Sequence, residues 1–130
     1  MITTISHEGS YKTTFSNGRA ESVSDVTTDK GGTANGFGPH ELLEAALASC
    51  MNITLRMAAE KYGIALKTSC VRVSLERPDE DRVVFQYDVA FDEDVGAEDR
   101  QKLLRVVEKC PVRKTLAKEI GFSKTELPGG

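Results

Sequence analysis

From Pro39 to about Tyr62 the chain carries its longest helical pattern, and no other feature limits the fold so strongly. Leu43, Ala46, Leu47, Cys50, Ile53, Thr54, Met57 and Ala58 recur at i, i+3, i+4, i+7 spacing, the mark of one apolar face on a helix. Glu44, Asn52, Arg56 and Glu60 fall mainly off that stripe. Pro39 suits the first helical position, where its missing N–H costs nothing. Gly63 stands where a left-handed cap usually ends a helix. Ala45, Ala46, Ala48 and Ser49 are small enough for a sheet or a second helix to come close. A helix apolar around most of its middle belongs at the centre of a fold.

The flanks supply strands. Residues 2–15 hold Ile2, Ile5, Tyr11 and Phe15 among Thr and Ser, a weakly alternating stretch prone to β-structure. Asn17-Gly18 predicts a hairpin, because both residues tolerate positive φ, with a return strand through Ala20–Val26. The glycine-rich loop from Lys30 to Gly38 lacks both phosphate-binding glycine spacings. Its expected role is to let backbone pass close to something at the start of the helix. Lys67–Arg77 and Arg82–Phe91 alternate, with Val71, Val73 and Leu75 facing one way and Val83, Phe85, Tyr87 and Val89 matching them. They read as a hairpin turned at Pro78–Asp81 and covering a core on one side. Ala97–Lys109 predicts an amphipathic helix with Leu103, Leu104, Val106 and Val107 inward, and Pro111–Ile120 a second one stopped by Gly121. Phe122–Leu127 is expected as a last edge strand before a frayed Pro-Gly-Gly tail. The class is α+β: one domain, residues 1–130, with an antiparallel sheet packed on a long central helix.

Composition removes several functions. The 130 residues carry 17 basic and 20 acidic side chains, a net charge of −3, and no basic stretch, which argues against nucleic acid and anionic membranes as partners. No apolar run is read as approaching the roughly 20 residues of a membrane span, and residues 1–7 lack the pattern of a signal peptide. Three cysteines is an odd count with no C-x-x-C. A secreted disulfide framework is therefore not expected, and a reducing cytoplasm fits better.

Two of those cysteines carry the chemistry. Cys50 lies inside the apolar helical stretch, and Cys110 directly precedes Pro111. Brought together, they would form a dithiol able to cycle through a disulfide, one sulfur to be attacked and one to resolve the product. A nucleophilic cysteine acts as thiolate, and Cys50 is too deep in its helix to use the N-terminal dipole, while burial raises its pKa. A cation is therefore expected. Arg19, at the hairpin tip, is the preferred candidate; Arg56 is the plainer one, solvated or paired with Glu60 at i+4. Because the residue before proline leaves the helical region, Cys110 should end one helix and stand near the cap of the next, where the helix dipole would favour its thiolate. Each residue also has a simpler reading. Cys50 can be a small apolar filler, Cys110 a junction residue of suitable size, Glu41 a complement to the helix dipole, and Glu44 and His40 solvated surface. Cys70 lies on the polar face of a strand and is taken as incidental.

The run Gly38-Pro39-His40-Glu41-Leu42-Leu43-Glu44-Ala45-Ala46-Leu47-Ala48-Ser49-Cys50, with the distant Cys110-Pro111-Val112, resembles the OsmC/Ohr family, the osmotically inducible and organic hydroperoxide resistance proteins. Gly31-Gly32 and Gly36-Phe37-Gly38-Pro39 look like the loop leading into that family's central helix. The resemblance implies an OsmC-like fold, an intertwined homodimer, and sites near the subunit interface. It implies that Cys50 reduces an organic hydroperoxide and becomes a sulfenic acid, that Cys110 condenses with it, and that a lipoyl-type dithiol or small thiol restores both, with no haem, flavin or metal. It also implies an arginine from the N-terminal strands, matched here by Arg19, and a glutamate at the start of the helix. The chain departs from the peroxidase pattern there: His40 follows the proline, and Glu41 comes one residue, or about 100° of helix, later. Glu41 lies about 13.5 Å along an unbroken helix from Cys50, so it would act by orienting the arginine or at a partner's site.

Two functions follow. One is a thiol-dependent peroxidase in stress defence, choosing organic over hydrogen peroxide through an apolar wall for which Leu47, Met51 and Phe37 are candidates, each buried CH₂ adding about 0.8 kcal/mol. The alternative is a redox-sensing or small-ligand-binding module on the same fold, with no significant turnover. A Ser-His-Asp or metal-based hydrolase has no support when only His7 and His40 are available.

Overall fold

Residues 1–126 are described by the computed structural model. The elements run β1 (Thr3–Ser6), β2 (Thr13–Ser16), β3 (Glu21–Ser24), a 3-10 turn (Thr28–Lys30), α1 (Pro39–Tyr62), β4 (Ser69–Asp79), β5 (Arg82–Phe91), α2 (Ala97–Val107) and α3 (Pro111–Leu116). Two sheets form, β1-β2-β3 and β4-β5, the second antiparallel because its connection is too short for a crossover. The class is α+β, as the patterning implies. The residues gather into two compact units, Met1–Ala48 with Arg72–Asp88, and Ser49–Val71 with Val89 onward.

In the first unit, β2 pairs antiparallel with both neighbours, Thr3 opposite Ser16 and Thr13 opposite Ser24. The stretch expected as one strand over 2–15 is two, because Gly9 takes φ 73° and the Ser10 N–H bonds the His7 carbonyl at 3.3 Å. The hairpin also turns one residue later than expected. Its loop is Gly18-Arg19, closed by the Asn17 N–H on the Ala20 carbonyl at 3.2 Å, with positive φ at Gly18 (93°). Asn17 serves as an acceptor instead: its Oδ1 takes the N–H groups of Arg19 (2.9 Å) and Ala20 (2.8 Å).

The glycine-rich loop folds back on β3 and the residues just after it, and its last residue, Gly38, donates to Glu41 in the first turn of α1. Phe37 donates to the Val23 carbonyl and Asp25 to that of Phe37, both at 3.1 Å. A Cβ on Gly32 would stand 2.0 Å from the Val26 carbonyl oxygen, and one on Gly36 2.6 Å from that of Val23. Asp25, only 4% exposed, ties the loop: its carboxylate accepts the Val26 N–H (2.7 Å) and the Thr33 hydroxyl (2.5 Å) and N–H (3.1 Å). Glu44 is not a solvated residue, since its Oε2 accepts the Leu75 N–H of β4 at 2.8 Å.

In the second unit, Met51, Leu55, Ala58, Ala59, Leu66, Val95, Leu103, Val107 and Cys110 make the core. The buried stripe of α1 is thus rotated from the expected one: Ile53 is 55% exposed and Met57 65%. Apolar residues all round the helix give periodicity nothing to choose between. Polar anchors fix the rotation. Asn52 donates to the Ser69 carbonyl at 3.2 Å, and the Arg56 guanidinium donates to the carbonyls of Leu66 and Lys67. Arg56, although exposed, is therefore anchored by those carbonyls rather than by Glu60.

Helix α1 ends at Tyr62, with Gly63 at φ 66° as expected. Strand β4 runs on through Pro78 to Asp79, two residues past its expected end. Its alternation holds, with Val71, Val73 and Leu75 the more covered residues, whereas Val83 and Tyr87 of β5 stay exposed. Helix α2 stops at Val107 and α3 at Leu116, both short of expectation. Residues 122–126 form no strand; Leu127 and the Pro-Gly-Gly end lie outside the described residues. On length and composition α1 is long and apolar enough to cross a membrane, which corrects the reading that no run approaches that length. Its Met51, Leu55, Ala58 and Ala59 are buried in the core of the second unit.

Candidate active site

The two cysteines singled out in the sequence meet within the second unit. Cys50 is half-buried on α1, and Cys110 is fully buried at the N-cap of α3 with Pro111 following at N1. The junction forms for the reason expected: Cys110 has φ −53° and ψ 131°, outside the helical region, as a residue before proline must be. Its own N–H bonds the Val107 carbonyl at 3.0 Å, and its carbonyl accepts the Lys114 N–H at 3.1 Å. The first N–H groups of α3 have no intrahelical acceptor. Those of Val112 and Arg113 bond the sulfurs instead.

This arrangement splits the two thiols. For Cys50, burial pushes the pKa up, but hydrogen bonds from the Cys110 side chain, the Val112 N–H and the Thr54 hydroxyl outweigh it, and the thiol sits below its ordinary value. For Cys110, burial and the neighbouring Cys50 push the thiol up, and the N–H groups of Arg113 and Val112 only partly offset this. Two expectations are corrected here. The short helix does not make Cys110 the thiolate, because desolvation and a second sulfur exceed what two N–H groups return. Nor does the lowering at Cys50 come from a cation; three uncharged donors provide it. Of the two thiols, Cys50 is therefore the more readily ionised and Cys110 the one that keeps its proton to higher pH.

The sequence reading places Thr54 on the Cys50 stripe but singles out neither it nor the Val112 N–H as a neighbour of the sulfur. For Thr54 a signal was available: position i+4 from a helical cysteine puts its side chain over the same face. The Val112 N–H had no signal, because only the packing of α3 brings it to Cys50.

The other two expected site residues belong to the first unit. Arg19 is exposed in the β2–β3 loop. Glu41 is the third residue of α1, and its Oε1 accepts the Gly38 N–H at 2.8 Å, the return half of a capping box. His40 and Glu41 also line a cavity of about 320 Å³ with Asp25, Lys30 and Pro39. Of the expected apolar wall, Leu47 (2% exposed) and Met51 (0%) are core residues and cannot line an open pocket, while Phe37 is 53% exposed. Cys70 is exposed on β4. Among the described residues no group of three or more His, Cys, Asp or Glu is placed to hold a metal ion.

Comparison with known proteins gives the lineage. The profile of the OsmC-like protein family matches residues 31–123, which hold α1, both cysteines and the helix junction between them. The chain belongs to the OsmC-like family. Solved OsmC-like structures agree in fold. A protein of Psychrobacter arcticus 273-4, named for osmotic stress induction and detoxification response, is 22% identical over 88% of this chain and 85% of its own, with a TM-score of 0.73. An OsmC-like protein from Mycoplasma pneumoniae is 21% identical over 89% and 85%, TM-score 0.70. The organic hydroperoxide resistance protein OhrB of Bacillus subtilis is 23% identical over 90% and 89%, TM-score 0.64. No curated protein matches the chain.

Proposed function

We propose that this OsmC-like protein is a thiol-dependent peroxidase that reduces organic hydroperoxides in peroxide stress defence. The observation that carries the reading is the hydrogen-bonded pair of Cys50 and Cys110, with the thiol of the first lowered and that of the second raised. Membership of the family, and the naming of the Bacillus subtilis protein of like fold for organic hydroperoxide resistance, support it.

The Cys50 thiolate attacks the terminal oxygen of the hydroperoxide. An S–O bond forms, the O–O bond breaks, and the alkoxide takes a proton from solvent to leave as the alcohol. Cys50 is oxidised by two electrons to the sulfenic acid. The Cys110 sulfur then attacks that sulfur. The S–S bond forms, and the hydroxyl departs as water with the proton that Cys110 has kept. A lipoyl-type dithiol, or two small thiols, returns two electrons and both protons by exchange and leaves as a disulfide. No cofactor enters these steps. The cycle needs a reducing compartment such as the cytoplasm. Arg19 is assigned the role of holding the peroxide and Glu41 that of orienting the arginine, through the family resemblance. The working assembly is a homodimer.

Turnover of cumene hydroperoxide with a dithiol tests the reading. Cys50→Ser is expected to abolish it, and Cys110→Ser to allow one oxidation per chain without recycling. A Cys50→Ser protein that consumes peroxide at the wild-type rate would overturn it. The alternative, a redox-sensing or ligand-binding module, draws on Glu41 being committed to the helix cap. Slow, unspecific thiol loss after one equivalent of peroxide would favour it.

A further inference from the structure

Within the second unit, Asn52, Ile53 and Arg56 of α1 and Thr68 and Ser69 at the entry to β4 line an open recess of about 300 Å³. The acceptors around it are committed. The Asn52 Oδ1 takes the Ser69 hydroxyl, the Ser69 carbonyl takes the Asn52 amide at 3.2 Å, and the carbonyls of Leu66 and Lys67 take the Arg56 guanidinium. Donors are left over. Arg56 gives one N–H of Nη1 and one of Nη2 to those carbonyls, which leaves three of the five that a guanidinium carries. Asn52 keeps its second amide hydrogen. The Thr68 hydroxyl has no hydrogen-bond partner among the described residues. Charge points the same way. The ion pairs among the described residues are Lys67 with Asp94, Arg72 with Asp88 and Arg82 with Asp79, so none neutralises Arg56. Asp92 accepts the Thr68 N–H through Oδ1 at 3.2 Å and holds that backbone in place, but it does not line the recess.

We propose that this recess binds a phosphate group, with Arg56 as its charged anchor and Asn52 and Thr68 completing the set of donors. A ligand that fits here is rich in acceptors and negative, because the walls offer unused donors and one positive charge with no acid beside it. A guanidinium matches phosphate oxygens through two parallel N–H bonds, which a lysine ammonium cannot do. Donors spread over a guanidinium, an amide and a hydroxyl suit the several oxygens of a tetrahedral anion better than the two of a carboxylate. The Leu66 and Lys67 carbonyls hold the guanidinium before any ligand arrives, so less side-chain freedom is lost on binding. Arg56 is exposed, which gives the ligand access and makes binding fall as salt rises. The recess is separate from the thiols. Arg56 stands six residues beyond Cys50 on α1, about 240° round the helix and 9 Å along it. The site therefore holds or fails independently of the peroxidase reading.

The test is a titration of the full-length protein with sodium phosphate, chloride being withdrawn to keep the ionic strength constant, followed in ¹H–¹⁵N spectra. The Arg56 Nε–H, the Asn52 side-chain amide and the backbone amides of Thr68 and Ser69 are expected to shift together and to saturate at one shared midpoint. Arg56→Lys keeps the charge and loses the fork, and should weaken binding roughly tenfold. Should that variant fail to fold for want of a donor to the Leu66 and Lys67 carbonyls, Thr68→Val removes a hydroxyl that meets neither carbonyl and should weaken binding roughly fivefold. A parallel titration with phenyl phosphate identifies the source of the group. A lower midpoint for the ester supports a phosphorylated metabolite, and an equal or higher one supports free phosphate. Shifts that do not saturate, shifts that sodium chloride alone reproduces, or a midpoint that neither variant moves would overturn the inference.

Discussion

At the scale of single residues, the division of labour between two chemically identical side chains comes from what surrounds each sulfur. Both thiols are desolvated, which alone would make both poor nucleophiles. Cys50 gains three donors, whereas Cys110 faces a sulfur that resists a second negative charge beside it. The sign of the pH dependence follows. Because Cys50 is lowered, its thiolate persists to lower pH than that of an ordinary cysteine, and its alkylation rate should rise with pH through a midpoint below that of a free cysteine. Cys110→Ala removes the first of the three donors, so the midpoint should climb and the rate at neutral pH fall. The measurement is the pH profile of alkylation followed by mass spectrometry of the Cys50 peptide. A profile unmoved by Cys110→Ala would mean that the two sulfurs do not communicate.

At the scale of elements, the glycine-rich loop shows how a feature that looks like a ligand cradle can be a structural tie. Gly32 and Gly36 are glycine because the carbonyls of Val26 and of Val23 on β3, respectively, occupy the space a Cβ would need. The buried Asp25 carboxylate then holds the loop by both its oxygens. Thr33 is the main cause of its lowered pKa, through the hydroxyl first and then the N–H. Gly32→Ala cannot be absorbed by a side-chain rotation, since the obstructing atom is backbone. It is expected to cost about 3 kcal/mol or more of stability, measured by urea denaturation. A variant as stable as the wild type would show that the loop does not lie against β3. Glu41 belongs to the same scale. Its cap on the Gly38 N–H explains its presence in the first turn without any role in chemistry, which is why its part in the proposed reaction needs activity data.

At the scale of the whole molecule, the two units differ in how much they bury. Nearly all the buried apolar side chains described lie in the second unit, while in the first Leu47 alone is buried and Met1, Ile2, Ile5, Tyr11, Phe37, Leu43, Val83 and Tyr87 are exposed. A unit with so little apolar surface removed from water has little to offset its chain entropy. Exposed apolar residues in such number are what a subunit interface would leave on a single chain. The proposed homodimer accounts for this, and sedimentation equilibrium should give twice the 14.2 kDa chain mass. A monomer at micromolar concentration would leave those residues unexplained and would refute the assembly.

The sequence by itself determined the elements whose signals are local. The helix from Pro39 to Tyr62 was bounded by a proline and a glycine whose effects act within one turn, and the break at Cys110 followed from the residue after it. The class and the family were legible for the same reason, and so was the choice of the two cysteines that the fold brings together. The rotation of α1, the turn at Gly18-Arg19, the fold-back of the loop onto β3 and the absence of a strand over 122–126 were decided by tertiary structure. The rotation and the fold-back depend on which distant group offers a partner: Ser69 to Asn52, Leu75 to Glu44, Val23 to Phe37. Above all, the choice of which thiol ionises was tertiary. It turns on Cys110 and the Val112 N–H arriving at the Cys50 sulfur, and hydrogen bonds between such distant segments leave no mark in local composition.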